Sequence, residues 1–225
     1  MKKSALLVAG LMFAHVAWSQ QHLIGFRAGP AGTNVVFGMQ GSQNEMRLAF
    51  TSALTYDHLI RRHFSLGVDL MYQPGGFWGT LPDLSPIYPP LESEYIFRNH
   101  MQYLALPLKI GVHSRGNTKL FGQAALVPSF LLRANSIAPN GHVILGQVFP
   151  PSKTPIKEYL HTFDLAARLE VGVSQDVGNS RWQAFLSISA QRSMTNYFIL
   201  FDPNDETARH YLFFLNLGMK YLLGN

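Results

Sequence analysis

The amino-acid sequence predicts an all-β protein, an eight-stranded antiparallel up-and-down transmembrane β-barrel. Three observations predict this class. Apolar residues recur at every second position in eight separate segments, and the connections between these segments alternate between short and long. In addition, 47% of the 225 residues are hydrophobic and only 14% are charged. Soluble domains usually carry about 25% charged residues, so these charges are too few to cover a water-exposed surface.

Each segment has one apolar face and one small or polar face. In the second segment, for example, Leu48, Phe50 and Leu54 alternate with Arg47 and Thr51. The fifth segment alternates poorly, and prolines inside the fourth and fifth predict bulges or gaps in the hydrogen-bond ladder. The predicted strands cover approximately residues 23–37, 46–58, 64–77, 99–113, 119–133, 160–176, 181–197 and 210–222.

The lengths of the connections predict the orientation. Three connections are tight turns, around residues 61–63, 114–117 and 178–180. Short turns on one side and long loops on the other are typical of transmembrane barrels, in which the turns face the periplasm. Aromatic residues near both ends, including Phe77 and Trp182, predict two interfacial girdles. The long connections are residues 38–45, 78–98, 134–159 and 198–209.

Residues 1–19 have the features of a secretory signal peptide. Lys2 and Lys3 precede an apolar core at residues 5–16, and small residues lead to a cleavage position after Ser19. We therefore expect a barrel formed by residues 20–225 in the outer membrane of a Gram-negative bacterium, inserted by the barrel-assembly machinery. The chain contains no cysteine, which excludes disulfides and a lipoprotein anchor.

An eight-stranded barrel has a lumen only wide enough for side chains, so inward-facing charges must be paired or hydrated. Asp69 and Glu170 can pair with some of the basic residues but not with all of them. The excess predicts internal water, or cations placed near the ends, and in either case a plugged interior. The charges predicted to face the lumen are Arg27, Arg47, Asp69, Lys109, Arg168, Glu170 and Lys220.

Five segments are similar to segments of a known family: residues 25–29, 66–76, 103–109, 122–132 and 217–221. On these segments the chain resembles the PorT-type outer-membrane β-barrel family of Bacteroidetes. The resemblance implies the barrel fold and, for some members, a part in protein secretion. In the fifth strand the glycine-rich pattern of the family is replaced by Ala-Ala-Leu-Val-Pro at residues 124–128.

The lead hypothesis is a non-enzymatic outer-membrane barrel that acts as a binding, anchoring or assembly component. Its expected partners are membrane lipid and a protein complex. We expect neither a cofactor nor a metal in the chain, and no basic run suggests binding of nucleic acid. Long loops on a rigid scaffold carry recognition, and one such loop mixes prolines with aromatic residues suited to contacts. These candidate binding residues are Trp78, Tyr88, Tyr95 and Phe97.

Two alternatives stay open on the sequence. In the first, Ser193, His210 and Glu158 lie near the outer rim and form the site of a lipid hydrolase, which requires Ser193 within hydrogen-bond reach of His210. In the second, the chain is a secreted soluble barrel that holds a small apolar ligand, with its apolar face turned inward.

Overall fold

The computed structural model describes residues 21–36, 43–60, 63–81, 95–138, 142–144, 147–178, 180–196 and 209–223. These residues form a closed antiparallel barrel. The predicted signal peptide and Tyr88 lie outside the described residues.

Eight strands form the barrel wall. Each strand pairs antiparallel with the next along the chain, and the last pairs with the first, which closes the cylinder. The predicted up-and-down barrel is confirmed. The strands are β1 (Gln21–Val36), β2 (Arg47–Ile60), β3 (Phe64–Leu81), β4 (Tyr95–Ala105, continued as Leu108–His113), β5 (Thr118–Ala138), β6 (Phe163–Asp176), β7 (Trp182–Ser193) and β8 (Arg209–Leu223).

The apolar faces that the sequence predicts for the strands point away from the lumen. Leu48 is 78% exposed, and Leu120, Leu169 and Leu217 are each at least 65% exposed. Soluble proteins bury such side chains in a core. The structure therefore contradicts the soluble-barrel alternative, which requires the apolar residues inside the cylinder.

The poor alternation of β5 has a structural explanation. Its inward positions include Phe121, Val127 and Leu131, so this strand is apolar on both faces. Opposite Gln102 and Tyr103 the register shifts by one residue, and Leu132 has no partner in β4. This bulge re-aims the following side chains, so that Leu132 and the next residue both face outward.

The two strand prolines coincide with a gap in the ladder, as predicted. β4 is interrupted at Leu106 and Pro107, and its pairing with β5 skips Val127 and Pro128. Single hydrogen bonds bridge the gap. The Leu106 amide donates to the Pro128 carbonyl at 2.9 Å, and the Asp69 amide donates to the Pro107 carbonyl at 3.0 Å. Proline lacks the N–H that a regular ladder needs.

One side of the barrel wall projects beyond the rest. We call the end that carries the short turns the turn end, and the end that carries the long connections the loop end. At the loop end, β3 and β4 pair as far as Leu81 and Tyr95. β5 continues there to Ala138 and pairs with the short strand Ser152–Pro155, whereas its pairing with β6 stops at Phe163. We call this extension the projecting wall.

The projecting wall corrects the predicted loop boundaries. Parts of the predicted loops at residues 78–98 and 134–159 are sheet, because backbone pairing extends beyond the alternating pattern. Outside the eight wall strands, the long connections also contain the short strands Gln43–Glu45, His142–Ile144 and Gln147–Phe149, and the 3₁₀ helix Lys157–Tyr159.

We expect substitution of Gly76 to destabilise the barrel more than substitution of Gly116, a glycine with a similar φ angle. Gly76 has φ of 119°, and a Cβ there would lie 1.9 Å from the Asn99 carbonyl oxygen. Gly116, in the turn between β4 and β5, has φ of 109°, but its Cβ would meet only the Thr118 carbonyl at 3.6 Å. Gly116→Ala should cost ~1–2 kcal/mol of unfolding free energy, and Gly76→Ala clearly more, in urea unfolding from detergent micelles. Equal losses would contradict the close approach of β3 and β4.

Candidate functional site

The centre of the lumen holds a network of buried ion pairs. Arg27 lies 2.7 Å from a carboxylate oxygen of Asp69 and 2.7 Å from one of Glu170. Lys109 contacts Asp69 at 2.6 Å and Asp57 at 3.0 Å. These side chains come from β1, β2, β3, β4 and β6, so the network joins five strands across the lumen.

Asp57 is the member that the sequence analysis missed. It also pairs with Lys220 of β8 at 2.8 Å. Three carboxylates, those of Asp57, Asp69 and Glu170, therefore balance the charges of Arg27, Lys109 and Lys220. The predicted excess of positive charge lies outside these pairs, since no described carboxylate forms an ion pair with Arg47 or Arg168. The signal was available in the sequence, since Asp57 follows Thr51 and Thr55 at the same alternate positions of β2. Paired burial is the condition under which charges are tolerated away from water.

Among the described residues, no carboxylate forms an ion pair with Arg168. Its guanidinium donates to the Gln191 side-chain carbonyl at 2.5 and 2.9 Å and to that of Gln73 at 3.3 Å. The same group lies 4.6 Å from the centre of the Phe214 ring, an arrangement that stabilises a cation by its interaction with the ring face. Arg47 is half-buried nearer the loop end and donates to the Gly75 carbonyl at 2.6 Å.

Apolar layers lie on both sides of the ion pairs. Toward the turn end, the rings of Phe121 and Phe185 meet edge to face at 6.3 Å, and the Lys220 ammonium lies 4.6 Å from the Phe185 ring centre. Toward the loop end, an apolar cluster fills the lumen. Phe77, predicted to lie in an outer aromatic girdle, belongs to this cluster and is 1% exposed. The cluster consists of Val35, Phe77, Met101, Tyr103, Leu131, Ala134 and Leu160.

The candidate hydrolase residues are partly brought together. Ser193 is buried, and its hydroxyl contacts the carboxylate of Asp164 and the Thr195 carbonyl, the latter at 2.9 Å. His210 is buried and meets the Tyr103 ring edge to face at 6.0 Å. Glu158 lies exposed in the 3₁₀ helix. The acid that contacts Ser193 in the described structure is thus Asp164, which the sequence analysis did not name.

The candidate loop aromatics lie on the projecting wall where they are described. Trp78 is half-buried, and the Arg98 guanidinium lies 4.6 Å from its ring centre. Tyr95 and Phe97 belong to β4, where they pair with Leu81 and Gly79 of β3; their side chains lie outside the described part, as does Tyr88.

At the turn end, two outward aromatic residues form a contact. The rings of Trp182 and Tyr221 meet edge to face at 5.0 Å. Paired aromatic rings at the end of an apolar wall are typical of an interface between hydrocarbon and water.

A metal-binding group of three or more His, Asp or Glu side chains is not found among the described residues. No helix in the described ranges is long and apolar enough to cross a membrane.

No protein-family model matches the chain, and no curated protein matches it in sequence. The chain is similar to several solved structures. Outer membrane protein OprG from Pseudomonas aeruginosa has 8% identity and a TM-score of 0.49, covering 90% of this chain and 95% of its own. The outer membrane protease OmpT from Escherichia coli has 11% identity and a TM-score of 0.47, covering 90% and 97%. Neisserial surface protein A has 11% identity and a TM-score of 0.44, covering 88% and 96%.

We expect Asp57→Asn to destabilise the barrel far more than a surface counterpart. The change leaves Lys109 and Lys220 buried with one carboxylate fewer, and breaking a buried pair costs about 3–5 kcal/mol. The matched control is Asp176→Asn, whose pair with Lys119 at 2.9 Å is partly exposed and should contribute about 0–1 kcal/mol. Urea unfolding of both variants in the same detergent micelles gives the comparison. Losses of similar size would show that the central network does not stabilise the fold.

Proposed function

We propose that this chain is an outer-membrane barrel that acts as a non-enzymatic binding, anchoring or assembly component. In this proposal the signal peptide is cleaved near Ser19, the turn end faces the periplasm and the loop end faces the cell exterior. The outward apolar face supports it, because a closed barrel satisfies every backbone N–H and C=O and can therefore lie in hydrocarbon.

The observation that carries the proposal is the filled lumen. Ion pairs among Arg27, Asp57, Asp69, Lys109, Glu170 and Lys220 link the strands across the centre, and apolar layers lie above and below them. The lumen of an eight-stranded barrel is only wide enough for side chains, and the described side chains occupy it at three levels, so we expect no path for a solute. A role in diffusion is thereby disfavoured, and a role of the outer surfaces is favoured.

The projecting wall is the surface that we assign to partner binding. It extends the sheet beyond the rest of the rim, and it carries Trp78 with the stacked Arg98. Tryptophan and arginine are the residue types enriched at binding hot spots. Because of the PorT-type resemblance, we propose a complex for protein secretion or assembly as the partner.

Lipid hydrolysis is the second candidate, because Ser193, Asp164 and His210 are all buried near the loop end. The contact of the Ser193 hydroxyl with the Asp164 carboxylate speaks against it, since an activated serine donates its proton to a histidine. We therefore expect the native protein and the Ser193→Ala variant to release fatty acid from phospholipid at the same rate, which is the background rate of detergent micelles without protein. A fatty-acid release that is present in the native protein and absent in this variant would establish the hydrolase instead.

The filled lumen predicts that the purified protein does not conduct ions. Reconstituted into a planar lipid bilayer, the barrel should show no sustained conductance, because the central ion pairs and the apolar layers block the lumen. A general porin in the same bilayer serves as the reference for an open channel. Stable channels of porin-like conductance would overturn the proposal that the barrel is closed.

Partner binding at the projecting wall predicts a position-dependent crosslink. A photo-crosslinking amino acid at Trp78, at the loop end, should yield a discrete crosslinked protein in intact cells. The same amino acid at Trp182, on the outward face at the turn end, should not yield that product. Mass spectrometry of the crosslinked band identifies the partner. The same product from both positions, or none from Trp78, would contradict a binding role for this wall.

A further inference from the structure

A small polar pocket opens on the outward face of the projecting wall. Its volume is about 110 Å³. The strand registers place its residues side by side: Gln102 pairs with Arg133, His100 pairs with Asn135, and the Ile137 of β5 pairs with Lys153 of the neighbouring short strand. The pocket therefore combines side chains from three adjacent strands and is lined by His100, Gln102, Arg133, Asn135, Ile137 and Lys153.

The pocket begins where the apolar outer surface ends. Along β4, the outward residues that follow Gln102 toward the turn end are Leu104, Leu106 and Leu108, all exposed. Along β5, Phe130 and Leu132 are exposed just before Arg133. The outer face thus changes within two residues from apolar to polar on both strands, to Gln102 on β4 and to Arg133 on β5.

Positive charge converges on this pocket. Arg133 and Lys153 are exposed, and within the described ranges no carboxylate forms an ion pair with either. Burial, and then the charges of Arg47, Arg98 and Lys153, lower the pKa of His100 and favour its neutral form, so the positive charge of the pocket comes from Arg133 and Lys153. Like charges held together in this way repel each other unless an anion lies between them.

Further groups around the pocket favour an anionic ligand. Lys157 is nearby, because its ammonium donates to the Leu132 carbonyl at the β5 bulge at 3.2 Å. Gln102 and Asn135 add amide donors to the lining. Two carboxylates lie close along the chain or across the sheet, Glu45 and Glu158, and both are exposed and form no ion pair with the described cations.

We propose that this pocket binds the phosphate group of a lipid in the outer leaflet, with the acyl chains of that lipid lying along Leu104, Phe130 and Leu132. Arginine binds phosphate through paired N–H groups, and lysine contributes a compact charge. The apolar strip directly beneath the pocket favours a lipid over a free phosphate, since only a lipid uses both surfaces. This inference rests on the membrane orientation given under the proposed function.

The test compares two neutralised variants with the native protein. Arg133→Gln/Lys153→Gln removes two charges from the pocket and keeps hydrogen-bonding side chains of similar length. Arg192→Gln is the matched control, because Arg192 is also outward and basic near the loop end but lies on β7, 5.4 Å from the Tyr211 ring centre. Circular dichroism melts show whether each variant is folded.

Binding is measured by native mass spectrometry and by titration in neutral maltoside micelles. The probes are phosphatidic acid, a diacylglycerol with the same acyl chains, and inorganic phosphate. The native protein should bind phosphatidic acid at least about tenfold more tightly than diacylglycerol. The double variant should lose about tenfold or more of that affinity, while Arg192→Gln should change it less than about twofold.

Each contrary outcome overturns a defined part of the inference. Equal affinity for phosphatidic acid and diacylglycerol, in the native protein alone, would exclude phosphate recognition even if the double variant failed to fold. Equal affinity for inorganic phosphate and phosphatidic acid would indicate a free-anion site. Insertion into vesicles of neutral phosphatidylcholine is scored separately. A protein that inserts there without preferring phosphatidic acid refutes the lipid site, whereas a protein that does not insert refutes the proposed function.

Discussion

The whole structure depends on the closure of one hydrogen-bond ladder, from β8 back to β1. With that pairing made, the wall has no free edge along its closed circumference, and its backbone polar groups are satisfied within the sheet. Closure also divides the side chains into two sets, because successive residues of a strand point to opposite faces. Every other feature follows from which set a residue belongs to. Outward positions carry leucine, isoleucine and aromatic rings, and inward positions carry the charges and amides.

Inside the barrel, the constraint is charge balance in a narrow space. Arg27 bridges Asp69 and Glu170, and Asp57 bridges two lysines. Each ion pair of this network joins two different strands; Lys109 and Asp69 lie on neighbouring strands, and the other pairs reach across the lumen. Buried ion pairs are weak evidence for net stability but strongly penalise the loss of one partner. The network therefore favours the native strand register, since a one-residue slip of any strand would turn its charge outward.

At the loop end, the same alternation changes its chemistry. The outward positions of β4 and β5 pass from leucine and phenylalanine to glutamine, histidine and arginine, and the bulge at Leu132 turns Arg133 toward the outside. The projecting wall extends this basic surface, and its inner side is packed by Phe77, Met101 and Tyr103. A barrel wall with a packed inner side and a basic outer side can present a rigid surface to lipid headgroups and partner proteins. The proposed role of the wall and the phosphate pocket therefore depend on the same feature.

By itself, the sequence determined the number of strands, their order, the segregation of turns and loops, and the faces of most side chains, because a period of two is a local property of the chain. It also determined that Pro107 would interrupt pairing. Only the tertiary structure decided which side chains meet. Asp57 pairs with Lys109 and Lys220, Asp164 rather than Glu158 contacts Ser193, and Phe77 lies inside the barrel rather than in an outer girdle. The tertiary structure also joined His100, Arg133 and Lys153 into one pocket. Such contacts depend on register between strands distant in sequence, and register is fixed by the closed cylinder as a whole, so no local pattern contains it.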